Sequence, residues 1–306
     1  MNRKIISIGV LSYNSENTIL ETLDSIANQS YGSNNIELII GDDGSKDNSQ
    51  KIINDWVSKN KNNFFKITLI LKTKNKGLVA NFNSICQKAT SSWIKPIAAD
   101  DILKNNCLEV FNEFTEQNKY AQCIFCQVQK FNSFSTLDIV PKNSYYFDLS
   151  PSKQFQELLI DNFVPAPGCF LRLDLLAKFN YAEEGMAMED YPLWLKLTSQ
   201  GIRLYFIEEV LVKYRISESI SNSNSRLINI NLNNDVYKCK KIFLAQLKIN
   251  KFIYLLYALD VFLFRLTDLI KLKIFKNKKS NLSKAISPIF RLISPLYIKR
   301  KVRNKP

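Results

Sequence analysis

Three pairs of acidic residues stand where carboxylates can do chemistry. Asp42 and Asp43 follow the apolar run IELIIG, so a buried strand delivers both to one edge. There a carboxylate can accept from the imide N–H of a pyrimidine base or from ribose hydroxyls. Asp100 and Asp101 follow a second apolar stretch, 93–98, and are the metal candidates. Hard oxygen donors suit Mg2+ or Mn2+, which keep several waters and complete their shell from phosphates. Asp101 is expected at the metal, and Asp100 at the metal, the ribose or a bridging water. Glu189 and Asp190 open a helical pattern, where a placed carboxylate could accept a proton. Acidic residues are also what a helix N-terminus favours, so neither of the last two pairs decides alone. Ser12, Tyr13, Asn14 and Glu16 end another apolar run. Tyr13 could stack on a base, whereas Asn14 or Ser15 could simply cap a helix. Lys76 and Arg215 are cations that could meet a nucleotide or diphosphate, Arg215 as a fork; a solvated surface lysine is the ordinary alternative for Lys76.

These residues need elements to hold them. The runs 4–11, 36–41, 66–72 and 93–98 are apolar and strand-like, and helical patterns cover 15–28, the segment ending near Asn60, and 78–89. Strands alternating with helices of this length predict βαβ units and a parallel sheet. Such sheets bind ligands beyond the carboxyl ends of their strands, and the polar clusters 12–16, 42–47, 74–77 and 100–101 fall there. Asp47 is expected to cap the helix that follows it. Residues 121–170 carry little pattern beyond a strand-like Cys123-Ile124-Phe125-Cys126 and a loop or hairpin at 131–151. A helix is expected over 189–200, strands over 203–207 and 209–215, and a Ser/Asn-rich linker over 217–225.

Composition narrows the chemistry. The 306 residues are 46% hydrophobic and 23% charged, enough to bury a core and too apolar for a disordered chain. With no histidine there is no Ser-His-Asp or Cys-His catalysis and no HExxH zinc site. The eight glycines spell neither GxGxxG nor GxxxxGK[ST]. Six scattered cysteines and a polar start, Met1-Asn2-Arg3-Lys4, predict reduced thiols in the cytoplasm, the CxxC at 123–126 included. From Arg226 onward 19 basic residues face 3 acidic ones, a net +16 within a total of +14. The basicity therefore belongs to a C-terminal module. Its stretch 252–270 is rich in Leu, Phe and Tyr but holds Asp260, Arg265 and Asp268, too polar for a membrane span. Asp260, Thr267, Asp268 and Lys271 share one helical sector and leave a wide apolar face, which suits a helix lying in a membrane interface or packed on the rest of the protein.

Taken in order, these pieces resemble the family 2 inverting glycosyltransferases of the GT-A fold. The matching segments are Val10-Leu11-Ser12-Tyr13-Asn14, Asp42-Asp43-Gly44-Ser45-Lys46-Asp47, Asn75-Lys76-Gly77, Ala99-Asp100-Asp101-Ile102-Leu103, Met188-Glu189-Asp190-Tyr191-Pro192-Leu193-Trp194 and Tyr214-Arg215-Ile216-Ser217. Any one is weak, but six in order over about 215 residues are specific. The resemblance is closest to bacterial transferases that build O-antigen or capsule repeat units. It departs at Ala98, where the family's DxDD pattern has an aspartate, and at Ser217-Glu218-Ser219, where many relatives have a histidine.

The resemblance implies an α/β fold, with a Rossmann-like, mostly parallel sheet and flanking helices over residues 1–225; the charge and helical patterning of residues 226–306 add a basic helical module expected to associate with an anionic membrane surface. It implies a nucleoside-diphosphate sugar donor, most readily UDP-linked, held by Ser12, Tyr13, Asn14, Glu16, Asp42, Asp43, Lys76, Asp100 and Arg215. It further implies Mn2+ or Mg2+ at Asp101 and Asp100, Asp190 as catalytic base, and Glu189 orienting the acceptor. The acceptor would be a saccharide on a polyprenyl diphosphate, at the cytoplasmic face of the inner membrane. A catalytically silent partner of another transferase is the alternative that Ala98 and the absent histidine leave open. Nucleic-acid binding by the basic tail would leave the strand-end carboxylates unexplained, and no nucleic-acid partner is expected.

Overall fold

In the computed structural model, which describes residues 3–216, 225–283, 289 and 293–303, one nine-stranded sheet organises the chain. Strands β1 (Ile6–Ser12), β2 (Ile36–Asp42), β3 (Lys66–Leu71) and β4 (Trp93–Ala98) alternate with helices α1 (Ile19–Ala27), α2 (Ser49–Asn60) and α3 (Leu78–Lys88). β1 pairs in parallel with β2 and β4, and β2 with β3, so the order is β3-β2-β1-β4. Chain order reverses beside β1, and such a switch point opens a crevice at the strands' carboxyl ends. Ile6, Ile8, Val10, Ile36, Leu38, Ile39 and Ile40 are all buried, which is why these strands read as mostly apolar runs. Each such side chain contributes about 1.5–3 kcal/mol.

The second half adds β5 (Ile102–Leu103), α4 (Cys107–Gln117), β6 (Cys123–Phe131), β7 (Thr136–Val140), α5 (Tyr145–Asp148), α6 (Pro151–Ile160), β8 (Cys169–Arg172), α7 (Leu173–Lys178), α8 (Asp190–Ser199) and β9 (Tyr205–Arg215). β8 runs antiparallel between β4 and β6, β9 lies parallel to β6, and β5 and β7 pair antiparallel with β9 and β6. The two strands expected at 203–207 and 209–215 are one, β9. Its pairing shifts register where Cys126–Gln127 of β6 meets Ile207–Val210, and the exposed Glu208 and Glu209 lie in this bulge. All six cysteines are free and buried.

The basic segment forms α9 (Ile230–Leu244), α10 (Lys251–Lys273) and α11 (Pro295–Arg303). Asn250 caps α10 by accepting the Ile253 N–H at 2.9 Å, a bond of about 1 kcal/mol. α9 packs on α8 and α6, α10 on α9 and α6, and α11 on α10. Cys239, Leu244, Leu247, Tyr257 and Val261 thereby enter the same core as Trp194 and Leu195. The inward sector of α10 is mixed: Asp260, Thr267 and Asp268 are buried beside Tyr257, Val261 and Leu263. Among the described residues no helix is long and apolar enough to cross a membrane. The linker residues 217–224, with Ser217-Glu218-Ser219, lie outside the described residues.

Candidate active site

The turn after β4 builds the deepest part of the site. The Ala99 N–H donates to the Leu11 carbonyl at 2.9 Å, and the Asp101 carbonyl accepts from the Thr22 hydroxyl at 2.7 Å, so α1 and β1 fix the backbone that presents Asp100 and Asp101. Asp101 is fully buried. Its Oδ1 accepts the Arg215 N–H at 2.9 Å, whereas the equally buried Oδ2 has no hydrogen-bond partner. Burial first, then the adjacent Asp100, pushes the Asp101 carboxyl well above the usual range, and burial raises Asp100 as well. An orphaned buried carboxylate oxygen beside a second carboxylate is a donor set that fits a hard divalent cation. Among the described residues no third His, Cys, Asp or Glu joins them, so the remaining ligands would come from diphosphate and water.

Glu189 and Asp190 arrive from the other side at the start of α8, Asp190 as its first residue. The Asn162 amide donates to Asp190 Oδ2 at 3.5 Å, and the Tyr191 hydroxyl, donating to the Leu158 carbonyl at 2.9 Å, pins this helix start to α6. Burial first, and the neighbouring Asp190 second, push the Glu189 carboxyl up to about 8, and burial raises Asp190 too. The two titrate as a pair. Glu189 thus keeps its proton to higher pH than an ordinary glutamate, beside an Asp190 of raised basicity.

A cleft of about 550 Å³ unites Asp100, Asp101, Glu189, Asp190 and Arg215, which lie up to 115 positions apart in the chain. Helices α9 and α10 wall it with Leu232, Asn233, Val236, Lys240 and Phe264. The Ala187 N–H donates to Asp235 of α9 at 2.8 Å, so the basic segment also holds the loop that leads to Glu189. Sequence reading missed Asp161, Asn162, Asn233 and Lys240 in this lining. Nothing in their local pattern sets them apart, since each is an ordinary polar residue on or just past a helix.

The expected nucleotide residues form a separate, tightly bonded shelf at the ends of β1 and β2. Buried Asp42 accepts from the Ser12 hydroxyl at 2.9 Å, the Ser45 hydroxyl at 2.5 Å and N–H at 2.9 Å, and the Gln50 amide at 2.7 Å. Asp43 pairs with Lys72 at 2.9 Å and accepts the backbone N–H groups of Lys76 and Gly77 at 3.1 and 2.7 Å. Asn14, at φ 49°, accepts the Lys46 N–H at 2.8 Å, and Glu16 accepts the Asn48 N–H at 2.9 Å. Asp47 takes the N–H groups of Ser49 and Glu16, tying the start of α2 to the first loop. Tyr13 stays exposed above this shelf. Lys76 lines an adjoining hollow of about 580 Å³ with Glu184 and Asp235, which meets the main cleft at Ala187. Arg215 lies with its guanidinium 4.5 Å from the Phe131 ring, pairs with Glu21, and donates to the Asp100 carbonyl at 2.9 Å.

Gly44 makes the shelf possible. Its φ is 76°, and a Cβ there would stand 2.6 Å from the Lys74 carbonyl carbon. Gly44→Ala is expected to cost about 1–3 kcal/mol of stability, read as a lower urea midpoint, with donor binding weakened as the 74–77 loop is pushed away.

The fold is of the α/β GT-A type, and comparison with known proteins agrees. The model of the family "Glycosyl transferase family 2" matches residues 7–178, and the chain belongs to that family. An uncharacterized glycosyltransferase of Methanocaldococcus jannaschii is 27% identical over 294 residues, covering 92% of this chain and 97% of the relative. An Escherichia coli UDP-Glc:alpha-D-GlcNAc-diphosphoundecaprenol beta-1,3-glucosyltransferase is 27% identical over 229 residues, 73% of this chain and 82% of the relative. Among solved structures, S. aureus TarS 1-349 in complex with UDP-GlcNAc shares the fold at TM-score 0.63 and 16% identity, over 88% of this chain and 76% of that one. A Pyrobaculum calidifontis mannosyltransferase in complex with GDP-Man and Mn2+ does so at TM-score 0.57 and 14% identity, over 99% and 87%.

Proposed function

We propose that the protein is an inverting glycosyltransferase. It moves a sugar from a nucleoside-diphosphate donor, UDP-linked, to a saccharide on a polyprenyl diphosphate during assembly of a bacterial surface polysaccharide such as O-antigen, lipopolysaccharide or capsule. It would work as a peripheral protein on the cytoplasmic face of the plasma membrane. The observation that carries this reading is the meeting of Asp100–Asp101 with Glu189–Asp190 across one cleft. The E. coli relative, whose name gives a UDP-sugar and a diphosphoundecaprenol acceptor, supports the choice of substrates.

In this mechanism the acceptor hydroxyl attacks the anomeric carbon from the face opposite the diphosphate. Its proton passes to Asp190, the new C–O bond forms, and the old one breaks with its electron pair leaving on the nucleoside diphosphate. An α-linked donor would give a β-linkage. Protonated Glu189 donates to the acceptor and orients it, Asn162 holds the Asp190 carboxylate, and Arg215 lies beside the departing diphosphate. A divalent cation at Asp101 and Asp100 would offset the charge growing on that diphosphate. The shelf of Ser12, Tyr13, Asn14, Glu16, Asp42, Asp43 and Lys76 would take the nucleoside, with Tyr13 free to stack.

A donor screen tests this reading. Purified protein, a synthetic lipid-diphosphate sugar and Mn2+ or Mg2+ are incubated with a panel of nucleotide sugars, and nucleoside diphosphate release is read. One donor is expected to turn over, with the signal lost in Asp101→Ala and on chelation. The acid limb of the kcat profile should lie above the ordinary carboxylate range near about 4, because Asp190 must lose its proton to act. No turnover together with no calorimetric binding of UDP would sink the donor assignment.

A further inference from the structure

Helix α10 keeps its acidic side chains inside and carries a second apolar face outside. On a soluble amphipathic helix the apolar stripe faces the core and the charges face water. Here the buried sector carries Asp260, Thr267 and Asp268 beside the apolar Tyr257, Val261 and Leu263. Asp260 accepts from the Ser294 hydroxyl at 2.7 Å and lies 3.9 Å from the Lys240 ammonium. Both Asp268 oxygens accept from the Asn233 amide at 3.0 Å, and Thr267 donates to the Leu263 carbonyl at 2.8 Å. The outward sector carries Phe252, Leu255, Leu259 and Phe262, exposed to 72, 55, 38 and 60%. Their spacing of 3, 4 and 3 residues draws one apolar stripe along the helix.

Charge frames this stripe. Lys248 and Lys251 stand exposed at its start, and Lys273, Lys276 and Lys278 at its end. The segment from residue 226 contains three acidic residues, and all are turned inward: Asp260 and Asp268 are buried, and Asp235 is bonded to Ala187. Its outer surface is therefore apolar along the middle and cationic at both ends, with no carboxylate to answer the lysines. A second copy of the helix laid on the stripe, parallel or antiparallel, would set lysines against lysines. An anionic bilayer meets both features at once: the acyl boundary takes the phenylalanines and leucines, and the headgroups take the ammonium groups. We propose that the outward face of α10 is a membrane-docking surface for anionic lipid, with the helix lying in the plane of the interface.

The inference deepens the membrane placement proposed above and names the residues responsible. Its test leaves the transferase reading aside, since vesicle binding needs neither donor nor acceptor. The full-length protein is mixed with phosphatidylcholine vesicles with or without about a third phosphatidylglycerol and separated by flotation. Binding is expected with the mixed vesicles, and at least tenfold weaker with phosphatidylcholine alone. Phe252→Gln with Phe262→Gln should reduce binding to the mixed vesicles at least tenfold. Because both positions are exposed, the thermal midpoint and UDP affinity should stay unchanged in the double variant. Lys273→Glu with Lys276→Glu should also weaken binding, and added salt should do the same to the parent. Undiminished binding by the phenylalanine double variant would overturn the proposal. So would a concentration-dependent dimer that the same double variant abolishes, which would give the stripe to a second copy.

Discussion

Asp190→Asn is expected to lower kcat by about 10²–10⁴-fold while leaving UDP affinity unchanged, and to make the protein more stable at neutral and alkaline pH. Both outcomes follow from one carboxylate. Burial raises Asp190, and the Glu189 beside it is pushed to about 8 from an ordinary value of 4.5. A group with a raised folded pKa binds a proton that the unfolded chain has already lost, so folding stability falls as pH rises between the two values. For Glu189 that window runs from 4.5 to about 8. The amide neither ionises nor repels Glu189, so the decline across this window should be shallower in the variant. Urea melts at several pH values, set beside single-turnover rates, check both halves. A variant that loses activity and stability together would show that Asp190 holds the helix start and performs no proton transfer.

Lys240→Met should be the most destabilising single change in the basic segment, by about 3–5 kcal/mol. Lys240 is buried and donates to the Leu159 and Ile160 carbonyls, the second at 2.8 Å, with Asp260 3.9 Å away. Those carbonyls end α6 and lack partners within the helix. Methionine fills the space but leaves two acceptors and a buried carboxylate without their cation. The loop that follows contains Asp161 and Asn162, so turnover should fall further than the lost stability accounts for. Rates measured well below the melting temperature separate the two effects. Lys241→Met, one residue along and exposed, should change little.

These two residues also mark how far the sequence could be read. The place of Asp190 at a helix start was legible because it follows a run of other ordered motifs, each tied to a strand end or helix start by short-range pattern. The parallel half of the sheet was legible for the same reason: β1 and β2 are buried on both faces and are mostly apolar, with the buried Glu37 accepting from the Ser7 hydroxyl. Lys240 was not legible. On the sequence it is one more lysine in a basic helix, beside Lys238 and Lys241, and its burial depends on where α6 ends 80 residues earlier. The double role of α9, as cleft wall and as a brace for the loop before Glu189, is tertiary in the same way. Helical periodicity correctly placed Asp260, Thr267 and Asp268 in one sector of α10, opposite an apolar one. It could not say which sector faces inward, because the polar partners Ser294, Asn233 and Lys240 come from other elements.

The burial of all six cysteines gives this chain a clean chemical background. A thiol reagent meets no thiol on the native surface, so its slow consumption counts excursions of the core, a clock for opening that requires no label. Conversely, one cysteine placed at a chosen surface position would take up a dye by itself. A probe attached that way could report depth, distance or contact from a single known point, with none of the native thiols needing removal.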